Sequence, residues 1–436
     1  MTPVTTRAII QLAVPAAASV LLNNLYRVID QYAVQWLGPD AQAAVGACTF
    51  VLIALYAVFA WVSAGTGPLM ARAVGSGDPE RARKLVGNAV VGSVFIGIVA
   101  LLLLGLLAAP ITALVGLDGD AATAMITYLR WLAVCGLPLA IAPTVDSIFV
   151  ARGNTQMVMV LQGGATVLNA CLNPLLIYGL ELGIGGAALA TGLSHGMAVV
   201  MGLVFVMRRL EPARSDFRLD RTLGAILRMG GPMASNTLLY AGVYWALMSV
   251  AIQPLGSEVY AALGIGFSVL EGFTWPVFWG FSLAVSSLVG RYLGAGMRDE
   301  ARRTYAKTAW FMVGMGLVAA ALFRFGAESL TARFSDDPTV LRHAVLYAQI
   351  LAYSQVFVAL EALAEGVLGG AGDTPSIFWW SAPVNLLRVP LAWVAAFPLG
   401  YGAMGIWWAI NLTTVIKCAG KWVAVYRGRW ARTGAL

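Results

Sequence analysis

The sequence predicts an all-α integral membrane protein: twelve transmembrane helices in two six-helix lobes related by an internal pseudo-two-fold repeat. Three observations predict it. The first is composition. Of 436 residues, 59% are apolar and only 11% charged, with a mean hydropathy of +0.79. A soluble domain carries roughly 25% charged residues, so this chain has too few to cover a water-facing surface. Lipid accepts apolar side chains on every face, provided each backbone amide is satisfied within its own segment. The second observation is a series of apolar runs of spanning length, and the third is a repeat that keeps register through the loops.

A spanning helix needs ~20 mostly apolar residues. Such runs lie over residues 8–37, 43–71, 85–115, 122–151, 155–180 and 184–207, then over 223–254, 259–290, 305–325, 340–369, 375–398 and 402–424. Breaks fall at turn-forming sequence such as Gly38-Pro39-Asp40, Gly75-Ser76-Gly77-Asp78 and Gly372-Asp373-Thr374. The predicted organisation is an amino-terminal lobe over 1–207, a connecting loop over 208–222, a carboxy-terminal lobe over 223–424 and a basic tail over 425–436. The first apolar stretch is too long for a cleavable signal and lacks a small-residue cleavage site, so it reads as a retained anchor.

Orientation follows from where arginine and lysine collect. The loop after span 2 holds Arg72, Arg81, Arg83 and Lys84, and the loop after span 6 holds Arg208, Arg209, Arg214, Arg218 and Arg221. Arg291, Arg298, Arg302, Arg303 and Lys307 follow span 8, and Arg427, Arg429 and Arg432 follow span 12. Alternate loops carry Asp40, Asp118, Asp120, Glu181 and Glu258; only the loop after span 9 mixes signs, with Asp336 among its acids. Both termini are therefore expected on the cytoplasmic side of a cell (inner) membrane. The net charge of +7 is a topology signal, and no nucleic-acid partner is expected. Cys48, Cys135, Cys171 and Cys418 sit in apolar runs without metal or redox spacing.

The halves match at an offset drifting only from 217 residues (Pro15 to Pro232) to 219 (Arg72 to Arg291). Between these, Leu37-Gly38 matches Leu255-Gly256, and Ala43-Ala44-Val45-Gly46 matches Ala261-Ala262-Leu263-Gly264. Further on, Gly153-Asn154-Thr155 matches Gly372-Asp373-Thr374. Six spans per half start both copies on the same membrane side, so they are parallel repeats about an axis along the membrane normal. Two lobes rocking about a central cavity suit a carrier.

The segment LAVPAAASVLLNNLYRVIDQYAVQWLG (12–38) resembles the first helix of the multidrug and toxic compound extrusion (MATE) transporters. GNTQMVMVLQGGATVLNACLNPLLIYG (153–179), GIGGAALAT (183–191), FSVLEGFTWPVFWGFSLAVSSLVGRYLGAG (267–296) and VLGGAGDT (367–374) extend the resemblance over nearly the whole chain. It implies twelve helices in two lobes and export of small amphipathic, often cationic, organic compounds against inward H⁺ or Na⁺. No cofactor, no ATPase and no enzymatic activity are expected; a monomer in the lipid bilayer is.

An ionisable residue at membrane depth costs at least ~2.5 kcal/mol, so each one invites a functional reading. Asp30 corresponds to the aspartate that family members use for cation coupling, and a carboxylate there can hold Na⁺ or take a proton. Arg27, three residues earlier on nearly the same helical face, offers the alternative of a simple ion pair. Asn169 and Asn173, spaced i, i+4, and Thr191 match the polar set around the aspartate in the DinF-like branch. That branch commonly has a second aspartate where Asn173 stands. Plain interhelical hydrogen bonding is the other reading of the two amides.

Glu271 corresponds to Leu52 or Ile53 in the first half, and Asp30 to Met248 in the second. Function is expected where acids break the repeat, which makes Glu271 the second coupling candidate. Glu361 and Glu365 share a helical face, and Arg388, at the Asn169 position, is expected to neutralise one of them. Asn236, Tyr240, Tyr244, Trp245, Trp275, Trp279, Trp379 and Trp380 could line a cavity for planar cations, or could be ordinary interface aromatics. Glu361 and Arg388 join that tentative cavity. His195 reads as a packing residue. The alternative function is a lipid-linked oligosaccharide flippase of the same superfamily, for which Arg27, Arg130 and Arg388 are the buried-looking cations. A membrane-embedded enzyme would need clustered acids or a nucleophile–base pair, and neither is visible.

Overall fold

The computed structural model describes residues 3–334 and 337–431; Asp336 and Arg432 of the basic segments lie outside them. The described residues form twelve principal helical segments and no strand. These are α1 (Thr6–Ala33), α2 (Pro39–Ser76), α3 (Pro79–Leu106), α4 (Gly119–Cys135 with Leu137–Ala151), α5 (Thr155–Gly179) and α6 (Gly183–Leu210). The second series is α7 (Arg221–Leu255), α8 (Ser257–Ile265 continuing through a π-helical turn into Gly272–Gly294), α9 (Arg298–Phe325), α10 (Pro338–Ala371), α11 (Thr374–Ala396) and α12 (Gly402–Arg427).

Among the described residues nine helices are long and apolar enough to cross a membrane, and ten if the two parts of α4, bent by 58°, count as one span. The other two, α11 and α12, have 23 and 26 residues. They are long enough, but α11 carries Arg388 and α12 carries Lys417 and Lys421, which dilute their apolarity.

The ends of these helices follow from local chemistry. Gly77 closes α2 in the left-handed conformation at φ 68°, which a residue without Cβ adopts at no steric cost. Asp78 then caps α3, its side chain accepting the Arg81 N–H at 2.9 Å, with Pro79 at the first helical position. Asp337 caps α10 in the same way.

The chain divides into two compact units, one of Leu22–Ala234 and one of Met1–Leu21 with Ser235–Leu436. The division falls inside α1 and α7 instead of at the 208–222 connector. Close helix approaches account for this. Gly65 of α2 and Gly230 of α7 lie so near their partner's backbone that a Cβ would collide with the Ile226 and Trp61 carbonyls. Trp61 Nε1 also donates to the Leu227 carbonyl at 2.8 Å. The start of α7 therefore belongs to the first unit. In the second unit, Gly280 of α8 lies against the Ala17 backbone of α1, so the start of α1 belongs there. Because α8 is the repeat counterpart of α2, and α1 of α7, each unit docks the start of the other repeat's leading helix onto the same element.

Candidate functional site

In the first unit, the lower part of α1 presents Tyr26 and Asp30 one turn apart, on a shared face. Facing them are Asn169 and Asn173 of α5, also one turn apart, and Thr191, Ser194 and His195 of α6. All seven are buried; Asp30 is 8% exposed and both asparagines are 0%. Asn173 Nδ2 donates to Asp30 Oδ1 at 2.8 Å, and Thr191 Oγ1 donates to Asp30 Oδ2 at 3.2 Å. Asn173 Nδ2 also reaches Asn169 Oδ1 at 3.0 Å; Asn169 Nδ2 donates to the Tyr26 hydroxyl at 3.0 Å, which in turn pairs with Ser194 Oγ at 2.6 Å. His195 packs edge-on to Tyr26, with Nδ1 3.1 Å from the Thr191 carbonyl, the packing role expected of it.

The Asp30 carboxylate thus meets only neutral partners. No ion pair reaches it among the described residues. Arg27 is exposed, and its Nη2 donates to Asn24 Oδ1 at 3.4 Å. Three helical positions leave two side chains ~60° apart, enough to place one on the buried face and the other outside. The intrahelical Arg27–Asp30 ion pair is therefore not formed.

Two further features bear on chemistry. Thr191 has one hydroxyl proton and two acceptors, Asp30 Oδ2 and the Ala187 carbonyl at 3.0 Å. It can serve one at a time. Asn173 Oδ1 is buried without a hydrogen-bond partner. The cluster therefore offers an unoccupied amide oxygen beside a carboxylate. Immediately after Asn173 and Pro174, α5 widens into a π-helical turn over Leu175–Gly179, a local distortion found often at functional positions. A second acid in this unit, the half-buried Asp146 of α4, accepts Gln162 Nε2 at 2.7 Å.

The second unit has a different electrostatic character. Glu271 closes the π-helical turn of α8 and accepts the Tyr347 hydroxyl at 2.6 Å. It belongs to the other compact unit from Asp30. Arg388, 1% exposed, does not pair with Glu361 or Glu365 as expected. Its Nε donates to Thr413 Oγ1 at 2.9 Å and its Nη1 to the Tyr244 hydroxyl at 3.2 Å. The glutamates are neutralised by two lysines of α12. Lys417 lies 3.0 Å and Lys421 2.6 Å from Glu361 Oε1, and Lys421 lies 2.5 Å from Glu365 Oε1. One helical turn separates the two ammoniums as it does the two carboxylates, so the four charges interdigitate, whereas Arg388 lies on a neighbouring helix.

These lysines escaped the sequence reading. The repeat held the signal: at the 219-residue offset that aligns Gly183 with Gly402, they fall opposite Ala198 and Gly202. Nor are Arg27 and Arg130 buried; both are exposed. Of the aromatic set, Tyr240 and Tyr244 pack with ring centroids 4.6 Å apart, and Trp275 stacks on Trp279 at 5.6 Å. The cation over the Tyr244 ring is the protein's own Arg388, at 5.5 Å. Trp275, Trp379 and Trp245 are exposed, and Asn236 is half-buried with an unpartnered Oδ1.

Fold and site together define a polytopic helical membrane protein built from two repeats, with a buried, uncompensated carboxylate in one of them. The MatE family model matches residues 15–175 and 232–394, one block in each half, and the chain belongs to that family. It is 29% identical to a probable multidrug resistance protein NorM of Pseudomonas putida, covering 93% of this chain and 91% of the relative. A probable multidrug resistance protein NorM of Thermotoga maritima is 26% identical, with 99% and 94% covered. Among solved structures, the outward-facing conformation of a multidrug resistance MATE family transporter superposes with a TM-score of 0.90 at 21% identity. That match covers 99% of this chain and 97% of the other, and it shows the same fold.

Proposed function

We propose that this protein is a secondary-active multidrug exporter that exchanges amphipathic, often cationic, organic compounds for H⁺ or Na⁺, with Asp30 as the principal coupling group. Family membership supports the transport class, and the multidrug resistance names of its relatives support the substrate class. The observation that carries the coupling role is the Asp30 environment: a buried carboxylate with hydrogen-bond donors on both oxygens and no ion pair among the described residues.

A carboxylate at membrane depth, left without a counter-charge, gains from any cation that reaches it. A proton on Oδ2 would reverse one contact: the Asp30 hydroxyl would donate to Thr191 Oγ1, and the Thr191 proton would turn to the Ala187 carbonyl. Sodium would instead draw on the carboxylate and on Asn173 Oδ1, oxygen ligands of the kind a hard cation prefers. Either event changes the hydrogen bonds that tie α1 to α5 and α6. Such a change biases a two-state carrier when the two states differ in affinity for the cation. A tenfold cation gradient supplies about 1.4 kcal/mol per ion to this bias. Glu271 is the second coupling candidate, and Asn236, Tyr240, Tyr244, Trp275 and Trp279 are assigned to substrate contact. Arg388 and Glu361 serve that region as buried charge, not as direct ligands.

The same reading places both termini in the cytoplasm, the chain in the inner membrane, and one chain per functional unit. The flippase alternative is disfavoured on the cations it named: Arg27 and Arg130 are exposed, and Arg388 is engaged by Thr413 and Tyr244. The test is efflux from drug-loaded proteoliposomes under imposed H⁺ or Na⁺ gradients. Asp30→Asn is expected to abolish the gradient-driven component. Unchanged driven efflux in that variant would remove Asp30 from the mechanism.

A further inference from the structure

Where the first unit's α4 ends and α5 begins, a cavity of about 210 Å³ is lined by Phe149, Arg152, Asn154, Phe205, Val206 and Arg209. Two guanidinium groups share it, and neither makes an ion pair among the described residues. Arg209 lies over the Phe205 ring at 5.3 Å, and Phe205 packs on Phe149 at 5.7 Å, so Arg209 sits on an aromatic floor. Burial first, and the Arg209 charge second, hold Arg152 below the usual guanidinium range. Asn154 caps α5 by accepting the Met157 N–H on Oδ1, which leaves its amide N–H groups as further donors. The positive end of the α5 dipole adds to the same field.

The repeat sharpens the point. At the 219-residue offset, Arg152 corresponds to Ala371 and Asn154 to Asp373. The second copy therefore puts a carboxylate where the first has a neutral donor, and it lacks the arginine. Two arginines without repeat counterparts beside apolar rings, at the basic end of the membrane helices, have the chemistry that suits a phosphate group carried on an apolar body.

We infer that this cavity is a binding site for the phosphate of an anionic phospholipid headgroup, held between Arg152 and Arg209. The glycerol and first acyl carbons would lie along Phe149 and Phe205. Occupancy would tie the ends of α4 and α6 together on the side where the arginines collect.

Native mass spectrometry of the purified full-length protein tests this, with short-chain phosphatidylglycerol, the matching phosphatidylcholine, and sodium phosphate as competitor. Phosphatidylglycerol should bind about thirtyfold more tightly than phosphatidylcholine, the preference that ~1 kcal/mol per arginine gives for two arginines. Arg152→Gln with Arg209→Gln should erase the preference, and the double lysine variant should keep most of it, separating loss of charge from loss of fold. Displacement of the lipid by millimolar phosphate would extend the site to soluble phosphates, and failure to displace it would confine the site to lipid; both support the phosphate assignment. Equal binding of the two lipids to the native protein, or a preference that survives in the double glutamine variant, would overturn it.

Discussion

The two repeats keep the same polar skeleton and load it differently. In the first unit, the Tyr26 hydroxyl takes a hydrogen bond from Asn169 and pairs with Ser194. In the second, Tyr244, Arg388 and Thr413 occupy the corresponding positions, and Arg388 bridges the other two. An amide has become a guanidinium on an otherwise matching frame. Asp30, next to the first frame, becomes Met248 beside the second, while Glu271, Glu361 and the two lysines appear only in the second half. The first unit therefore holds a buried carboxylate, Asp30, that makes no ion pair among the described residues. Among Glu361, Glu365, Lys417 and Lys421 the second unit is internally balanced. A duplicated scaffold can thus supply one site that waits for a cation and one charge network that is already satisfied.

This contrast predicts unequal responses to neutralisation. Glu361→Gln leaves Lys417 and Lys421 short of a counter-charge and should cost about 3–5 kcal/mol, read as a lower midpoint in chemical unfolding. Adding Lys417→Met should recover part of the loss. Asp30→Asn removes a charge that had no partner, so its unfolding midpoint should stay close to native. A fall as large as that of Glu361→Gln would erase the distinction between the units.

Smaller effects sharpen the comparison. Tyr244→Phe strips an acceptor from the buried Arg388 and should cost about 1.5–3 kcal/mol, because the donor is charged. Asn173→Asp would set a second carboxylate beside Asp30 and should tighten Na⁺ binding about tenfold by favouring a cation over neutral donors; calorimetry would read it. Tyr26→Phe removes a hydroxyl bonded to neutral groups and should cost only about 1 kcal/mol. If the two tyrosine variants proved equally costly, the charge difference between the frames would carry no energetic weight.

Much of this was legible in the sequence. Apolar run length and turn residues located all twelve segments, because lipid fixes both the composition and the length of a span. The Asp30 cluster was legible too, as i, i+4 spacing put Asn169 and Asn173 on one face and the resemblance joined them to Thr191. Tyr26 was missed although it lies one turn before Asp30, since a tyrosine among apolar residues gives no signal of its own. The partners of Glu361 and Arg388 were misassigned because sequence spacing orders residues within a helix and says nothing of which helix stands opposite. Arg27 failed for a related reason: i, i+3 spacing permits an ion pair but also permits one side chain outside and one inside. The division within α1 and α7 depended on long-range contacts at Gly65, Gly230 and Gly280, which no local pattern announces.

The central claim is that Asp30, the buried acid of the first unit, carries the coupling cation. It is tested most directly by recording drug efflux and cation entry together in the same vesicles, with a pH-sensitive dye or radioactive sodium. The account predicts that Asp30→Asn still binds drug but loses the cation flux that accompanies export, whereas Glu271→Gln retains a larger share of it. Cation entry continuing at the native ratio to efflux in Asp30→Asn would contradict the account.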